Sequence, residues 1–221
     1  MRNIPEIVAE HYRRNVLDEP STPRGTRFEQ KGEMRLAPEK GWLPFTAEQT
    51  CAADETRFVW KARFRMAPLV TATVEDAYED GRGRLDAKLW GLLRMMRARG
   101  PDVDRGEVQR YLAELPWCPM ALLQNPELQY RSLAGDVVRV WIDDEETYVD
   151  LRFDTEGDIV GARTETRSRG DVVQPWEGRF WDYRDFGDLR APAKGEVHWE
   201  TPDGPFVYWR GEIESMRWAT P

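Results

Sequence analysis

The stretch RFVWKARFRM, residues 57–66, decides the fold. Its large apolar side chains, Phe58, Trp60, Phe64 and Met66, all lie at even-numbered positions, and the residues at the odd-numbered positions are mostly basic. Because successive side chains of a strand point to opposite faces of a sheet, this spacing predicts a β-strand with one apolar and one basic face. The apolar face needs a cover, so the strand is predicted to lie in a sheet that packs on a core.

Weaker alternation of the same kind extends in both directions from this strand. It runs through RFEQKGEMRL and WLPFTAEQT on the N-terminal side, and through LVTATVEDAY and GRLDAKLWGLL on the C-terminal side. Turn-forming residues, such as EDGRG after Tyr78, separate these segments. The pattern predicts five consecutive antiparallel strands in residues 26–98.

Residues 127–218 carry a second set of strands. Seven alternating segments follow one another there, from LQYRSL to FVYWRGEIESMRW. Hairpin signals separate several of them, at Asp143-Asp144, Glu156-Gly157 and Pro202-Asp203-Gly204. No helix alternates with these strands, so the predicted fold is mainly β, a long curled antiparallel sheet of about a dozen strands in one domain, residues 1–221.

Two helical segments are predicted to pack on this sheet. In residues 1–20, Pro5 opens a helix with apolar side chains on one face. In residues 101–124, Asp104 followed by Glu107 resembles a capping box and places a helix start there. Apolar residues recur at helical spacing after it, Pro116 ends the helix, and the segment through Leu123 is too apolar for an exposed loop. This internal segment is therefore predicted to plug the sheet.

Composition limits the possible partners. The chain has 221 residues and a net charge of −8, which argues against nucleic acid as a partner. No run reaches the roughly 20 apolar residues of a membrane helix, so no integral membrane segment is predicted. The first residues lack the apolar run of a secretory signal, and we expect a cytoplasmic protein. Cys51 and Cys118 stand alone and are interpreted as buried thiols.

The sequence offers little recognisable catalytic chemistry. His11 and His198 are its only histidines, and they lie in unrelated segments without metal-ligand spacing. No serine occupies a GxSxG elbow, and Cys118 lies between Trp117 and Pro119 in a segment typical of a buried thiol. We therefore predict no metal and no cofactor.

Aromatic residues crowd the C-terminal third. Ten of them lie within the 43 residues 176–218. Strand alternation places Trp176 and Phe180 on one face, and Trp181 and Tyr183 on the other. A sheet with aromatic side chains on both faces needs more cover than two helices provide, so the sequence predicts either a ligand cavity or a subunit interface.

Several motifs resemble a bacterial domain-of-unknown-function family. They are GEMRLAP and WKARFRMAP, then GPDVDRGEVQRYLAELPWCPMALL, then PWEGRFWDYRDFGDLRAPAKGEVHWETPDGPFVYWRGEI. The family has no established activity, so the resemblance supplies no catalytic residue. More distantly, the order of curled sheet, internal helix and closing strands is similar to lipoprotein carriers of the LolA/LolB type. That similarity implies a half-barrel whose apolar lining holds acyl chains.

The leading hypothesis is a binding module for a lipophilic ligand, acting as a monomer or a homodimer. The apolar face of the first strand set would form a groove plugged by residues 111–123, and arginines including Arg63 would meet the polar end of the ligand at the rim. The predicted ligand-binding residues are Phe58, Trp60, Phe64, Met66, Tyr111, Trp117, Arg179, Trp181, Tyr183 and Arg210.

Two other hypotheses remain open from the sequence. One is an enzyme that uses carboxylates and tyrosine, with Asp182, Tyr183 and Glu196 as acid/base candidates and a perturbed carboxyl pKa in a concave pocket. The other is a structural domain whose surplus aromatic face is buried in a symmetric dimer.

Overall fold

The computed structural model describes residues 3–20, 22 and 25–219, and its centre is one antiparallel sheet. Among these residues the sheet has 13 strands in the order β6-β5-β4-β3-β2-β1-β13-β12-β11-β10-β9-β8-β7. The first and last strands of the chain pair in its middle, with Thr26 opposite Trp218 and Met34 opposite Trp209. This pairing joins the two predicted strand sets into one curled, open sheet, which confirms the predicted fold class.

The strands have the following bounds. The first set comprises β1 (Thr26–Met34), β2 (Leu43–Cys51), β3 (Phe58–Ala67), β4 (Val70–Glu79), β5 (Arg82–Leu89) and β6 (Leu93–Ala98). The second set comprises β7 (Gln129–Ser132), β8 (Val137–Trp141), β9 (Tyr148–Phe153), β10 (Ile159–Arg169), β11 (Val172–Phe186), β12 (Leu189–Thr201) and β13 (Gly204–Trp218).

The first set holds six strands, so the prediction of five was wrong. The segment GRLDAKLWGLL was interpreted as one strand, but the chain reverses inside it. Trp90 and Gly91 both have positive φ, 48° and 70°, and the amide of Leu92 donates to the carbonyl of Leu89 at 3.1 Å. Two consecutive positive φ values are the geometry of a tight hairpin turn, which a tryptophan seldom adopts. The turn leaves residues 93–98 to form β6.

Helices lie against one face of this sheet. They are α1 (Glu6–Asn15), α2 (Pro101–Ala113), a 3-10 helix (Leu115–Trp117) and α3 (Ala121–Gln124). The predicted capping box at Asp104 and Glu107 was wrong, because α2 already begins at Pro101, whose fixed φ suits a first helical position. Asp104 instead accepts a hydrogen bond from the backbone amide of Gly83 at 2.7 Å, and Glu107 is buried.

The core lies between α2, the 3-10 helix and the sheet face that we call the inner face. In β3, Phe58, Trp60 and Phe64 are buried on the inner face, while the basic residues between them are exposed. On the helix side of the core, Tyr111 and Leu112 of α2 are fully buried. The period-two pattern of β3 thus determines which side of the sheet carries the core.

Candidate functional site

A cluster of aromatic rings covers the middle of the inner face. The ring of Phe45 lies 5.7 Å from Trp60, 5.3 Å from Phe64 and 6.0 Å from Trp209, measured between centroids. The ring of Trp117, in the 3-10 helix, lies 6.2 Å from that of Trp209 and borders the cluster on the helix side. Trp209 is only half-buried, so the cluster extends from the sealed core toward solvent.

Two facing glycines make this arrangement possible. Gly32 of β1 and Gly211 of β13 are opposite each other in the strand pairing. A Cβ atom on Gly211 would lie 2.3 Å from the Trp209 ring, and one on Gly32 would lie 2.6 Å from the Phe45 ring. The rings therefore lie over backbone that has no side chains, which is a position only glycine permits.

A charged group from α2 borders the aromatic cluster. The guanidinium of Arg110 lies 4.9 Å from the ring centroid of Phe58 and 5.0 Å from that of Trp60. It pairs with Glu114 at 2.9 Å and with Asp76 of β4. All three charged side chains are less than one-fifth exposed, so α2 is attached to the inner face by a largely desolvated ion network.

Glu107 adds a third carboxyl group to this network. Burial, with the nearby carboxylate of Asp76 as the next cause, raises the pKa of Glu107 to about 8. One oxygen of each of these two carboxyl groups lacks a hydrogen-bond partner among the described residues, and a shared proton would satisfy both. The sequence pattern had indicated a helix cap at Glu107 and gave no sign of its place in this network. The spacing of Glu107, Arg110 and Glu114 at i, i+3 and i+7 was the available signal.

Most of the groove residues predicted in β3 and in residues 111–123 lie in the core. Tyr111 is buried and its hydroxyl donates toward the carbonyl oxygens of Ala52 and Glu55, each at 3.2 Å. The indole Nε1 of Trp117 donates to the carbonyl of Pro192 at 2.9 Å. Met66 instead lies exposed at the end of β3.

The predicted rim arginines lie on the opposite, outer face, where carboxylates already pair with two of them. Arg179 contacts Glu177 at 3.0 Å, and Arg210 contacts Glu196 at 3.4 Å. Arg63 lines a polar depression on the same outer face. The structure therefore does not bring the three arginines to the aromatic cluster.

The prediction that Trp181 and Tyr183 share a face was wrong. Trp181 is exposed, whereas Tyr183 packs 6.2 Å from the ring of His11 and its hydroxyl donates to the carbonyl of Ile159 at 2.8 Å. Asp182 between them has φ 62°, a left-handed conformation that interrupts strand alternation. Trp176 and Phe180 are both buried, as their shared inner face predicts.

Each of the acid/base candidates predicted from the sequence interacts with its own partners. The Asp182 carboxylate pairs with Arg184 and, at 3.1 Å, with Lys194, and these contacts lower its pKa. Burial raises the pKa of the Tyr183 hydroxyl well above its ordinary value. Glu196 pairs with Arg210. A raised carboxyl pKa of the kind that this hypothesis expects is found instead at Glu107, which is buried under α2 and does not line the outer-face depression.

A depression of about 580 Å³ lies on the outer face of the first strand set. Its lining is polar and mixed in charge, which does not suit an apolar ligand. The charged and hydroxyl residues around it are Glu29, Thr46, Glu48, Lys61, Arg63, Thr73, Glu75, Asp86, Lys88 and Glu214.

One group of side chains on β11 and β12 has the composition of a metal site. Candidate ligand atoms of Glu177, His198 and Glu200 lie within 4.8 Å of one another. The guanidinium of Arg163 lies 3.3 Å from Glu177 and 3.8 Å from Glu200, and Arg179 also binds Glu177. Because guanidinium groups already balance these carboxylates, the group is better explained as an ion-pair network than as a cation site.

The chain resembles two solved structures over nearly its whole length. One, from Vibrio parahaemolyticus, is described as an outer membrane lipoprotein-sorting protein domain; it is 12% identical, with 97% of this chain and 92% of that chain covered and a TM-score of 0.56. The other is a LolA superfamily protein from Nitrosomonas europaea, 10% identical, with 98% and 93% covered and a TM-score of 0.50. At these identities the comparison establishes a shared fold.

In the described part of the structure, helices are too short or too polar to cross a membrane.

Sequence comparisons identify the family. No curated protein sequence matches the chain. A family model, DUF6544, a family of unknown function, matches residues 1–211. The resemblance in the motifs is thereby confirmed, and the chain belongs to the DUF6544 family.

Proposed function

We propose that this protein binds a lipophilic small molecule, such as an acyl chain, against the aromatic cluster of the inner face. The observation that carries the proposal is the continuity of this cluster. It extends from the buried rings of Phe45 and Phe64 to Trp209, which is half-buried. Partly buried Met34 and Leu43 pack beside it and continue the apolar surface. An apolar surface that is only partly covered is the kind that apolar ligands complete.

The polar environment beside the cluster narrows the ligand class. The indole Nε1 of Trp60 is buried and donates to no described residue. A buried donor without an acceptor is unfavourable, so an acceptor oxygen of a ligand would be favoured there. We infer an amphipathic molecule, with an apolar chain against the rings and a neutral carbonyl oxygen near Trp60, because Asp76 and Glu114 beside this ring would repel a carboxylate.

The fold comparison supports the same class of ligand. The Vibrio parahaemolyticus structure is described as a lipoprotein-sorting domain, and lipoproteins carry acyl chains. The likeness is one of fold alone. The proposal therefore rests on the residues of this chain, and the fold shows only that such a curled sheet is a suitable scaffold.

The binding experiment uses a fluorescent fatty acid, 11-(dansylamino)undecanoic acid, as the probe. Trp209→Ala is expected to weaken probe binding at least about fivefold, because it removes the half-buried ring at the edge of the cluster. Trp181→Ala is the matched control, since it removes an exposed tryptophan from the outer face. Denaturant unfolding of both variants checks that they are folded.

Two results would contradict the proposal. One is absence of probe binding by a wild-type protein from which bound lipids have been extracted. The other is an equal loss of affinity in both variants. Mass spectrometry of the extract, compared with that of an unrelated protein prepared in the same way, would identify any lipophile that copurifies.

A further inference from the structure

Exposed apolar side chains concentrate at one end of the sheet. Twelve large hydrophobic side chains are exposed among the described residues, and only Leu17 and Trp181 lie away from this end. We call it the distal rim, the end at which β3 turns into β4, β5 into β6 and β10 into β11. The ten at the distal rim are Leu36, Met66, Leu69, Trp90, Leu92, Leu93, Met95, Met96, Val172 and Val173.

The most exposed of them lie on two adjoining turns. Leu69, between β3 and β4, is 89% exposed, and Leu92, between β5 and β6, is 86% exposed. Trp90 connects the turns, because its indole Nε1 donates to the carbonyl of Leu69 at 3.2 Å and its amide donates to Thr71 at 2.8 Å. The two turns that carry these leucines are therefore joined by hydrogen bonds through Trp90.

The backbone at Trp90 is also unusual. Its φ of 48° places a bulky residue in the left-handed region, which costs conformational energy. A turn with asparagine or glycine at this position would avoid that cost. The ring remains half-exposed, so the strained conformation presents an aromatic side chain at the surface instead of burying it.

The charge around these turns is opposite to that of the whole protein. Residues 65–72 and 87–99, which include both turns and β6, contain five lysines and arginines and no aspartate or glutamate, although the chain has a net charge of −8. Arg65, Arg94 and Arg97 have no carboxylate within 4 Å among the described residues, whereas Arg99 pairs with Asp86. Asp86, opposite Arg97 in the strand pairing, balances part of this charge, and an excess of positive charge remains. The distal rim of the first strand set thus combines apolar tips with excess positive charge.

We propose that the distal rim docks on the surface of a membrane that contains anionic lipids. We infer a lipid surface from the side chains and the shape of the distal rim. Leucines and a tryptophan on protruding turns can enter the boundary between headgroups and acyl chains, and the surrounding arginines can bind lipid phosphates. Protruding tips fit a deformable lipid surface better than the flat face of another protein. This inference goes beyond the proposed ligand site and does not depend on it.

Edge-to-edge pairing of two copies fits the same residues less well. Strand β6 is an edge of the sheet, and its unpaired side could bind another β6. Arg94 and Arg97 lie on this strand, so two copies would bring like charges together. An anionic surface relieves that repulsion, whereas a second copy increases it.

Sedimentation with vesicles tests the proposal on the full chain. We expect wild-type protein to bind vesicles of equal parts phosphatidylglycerol and phosphatidylcholine, and to bind pure phosphatidylcholine at least about tenfold more weakly. The double variant Leu69→Ser/Leu92→Ser should lose at least about tenfold in partitioning to the anionic vesicles. Leu17→Ser, an exposed leucine away from the rim, should retain wild-type binding.

Each contrary outcome overturns a defined part of the proposal. Absence of binding to anionic vesicles, or equal binding to both vesicle types, would refute docking on anionic lipid. Unchanged binding of the double variant would refute the role of the two turns. Dimer formation without vesicle binding would assign the rim to a second copy. Because both leucines are exposed, the double variant is expected to fold, and its unfolding transition provides the check.

Discussion

Substitution of Glu107 by glutamine tests the buried carboxyl pair under α2. Burial and the neighbouring Asp76 raise the pKa of Glu107 from 4.5 to about 8 in the folded protein. A folded-state pKa above the unfolded value means that the folded protein holds a proton that the unfolded chain releases. The group therefore stabilises the fold at low pH, and this contribution is lost as pH rises toward 8.

The size of the effect follows from the shift. One unit of pKa corresponds to about 1.4 kcal/mol, and the folded protein keeps the proton over roughly 1.5 units between pH 6.5 and 8. The free energy of unfolding of the wild-type protein should thus fall by about 2 kcal/mol between pH 6.5 and 8.5 because of Glu107 alone. Glu107→Gln, which resembles the protonated acid in shape, should remove most of that decrease.

The assay is urea unfolding at a series of pH values, followed by tryptophan fluorescence. Asp102→Asn is the matched control, because Asp102 lies in the first turn of the same helix but is exposed. It should leave the pH dependence between 6.5 and 8.5 unchanged. Equal slopes for Glu107→Gln and the wild type would refute the assignment of a raised pKa to Glu107.

Two further predictions concern buried side chains near the helices. Burial is the largest cause that lowers the pKa of His11 to about 4, so its ring should stay neutral until pH approaches 4. The stability that His11 contributes should be lost as pH drops from 6.5 toward 4, opposite in sign to the contribution of Glu107 over this range. The proton NMR titration of His11 measures this pKa directly, and a midpoint near 6.5 would contradict it. Trp117→Ala should lower the free energy of unfolding by about 3 to 5 kcal/mol, because the ring is 3% exposed. A loss below about 1 kcal/mol in urea unfolding would mean that the plug is not part of the cooperative core.

The candidate site could be predicted only in part. The alternation in residues 57–66 indicates that Phe58, Trp60 and Phe64 share an apolar face, and they do. It cannot indicate whether helices seal that face. The arginines predicted for the rim illustrate a second difficulty: Arg63, Arg179 and Arg210 alternate with apolar residues, and the same periodicity that buries those residues directs the arginines outward.

Local backbone conformation accounts for other differences. The positive φ values at Trp90 and Asp182 change the course of the chain inside segments whose alternation predicts a continuous strand. A turn at Trp90 creates the additional strand β6, and the break at Asp182 separates Trp181 from Tyr183. Tryptophan seldom adopts positive φ, so propensity alone misplaced the turn at Trp90. Aspartate adopts it more readily, but one aspartate within an aromatic strand pattern does not by itself predict a break.

The sequence by itself determined the class of fold, the polarity of the two sheet faces and the family. These depend on periodicity and motifs, which are local properties of the chain. Tertiary structure alone decided that Glu107 and Asp76 meet under α2, that Gly32 and Gly211 lie opposite each other, and that the exposed apolar turns collect at one rim. Each of these results from pairing or packing between segments distant along the chain, and such contacts depend on strand order and register, which local patterns do not encode.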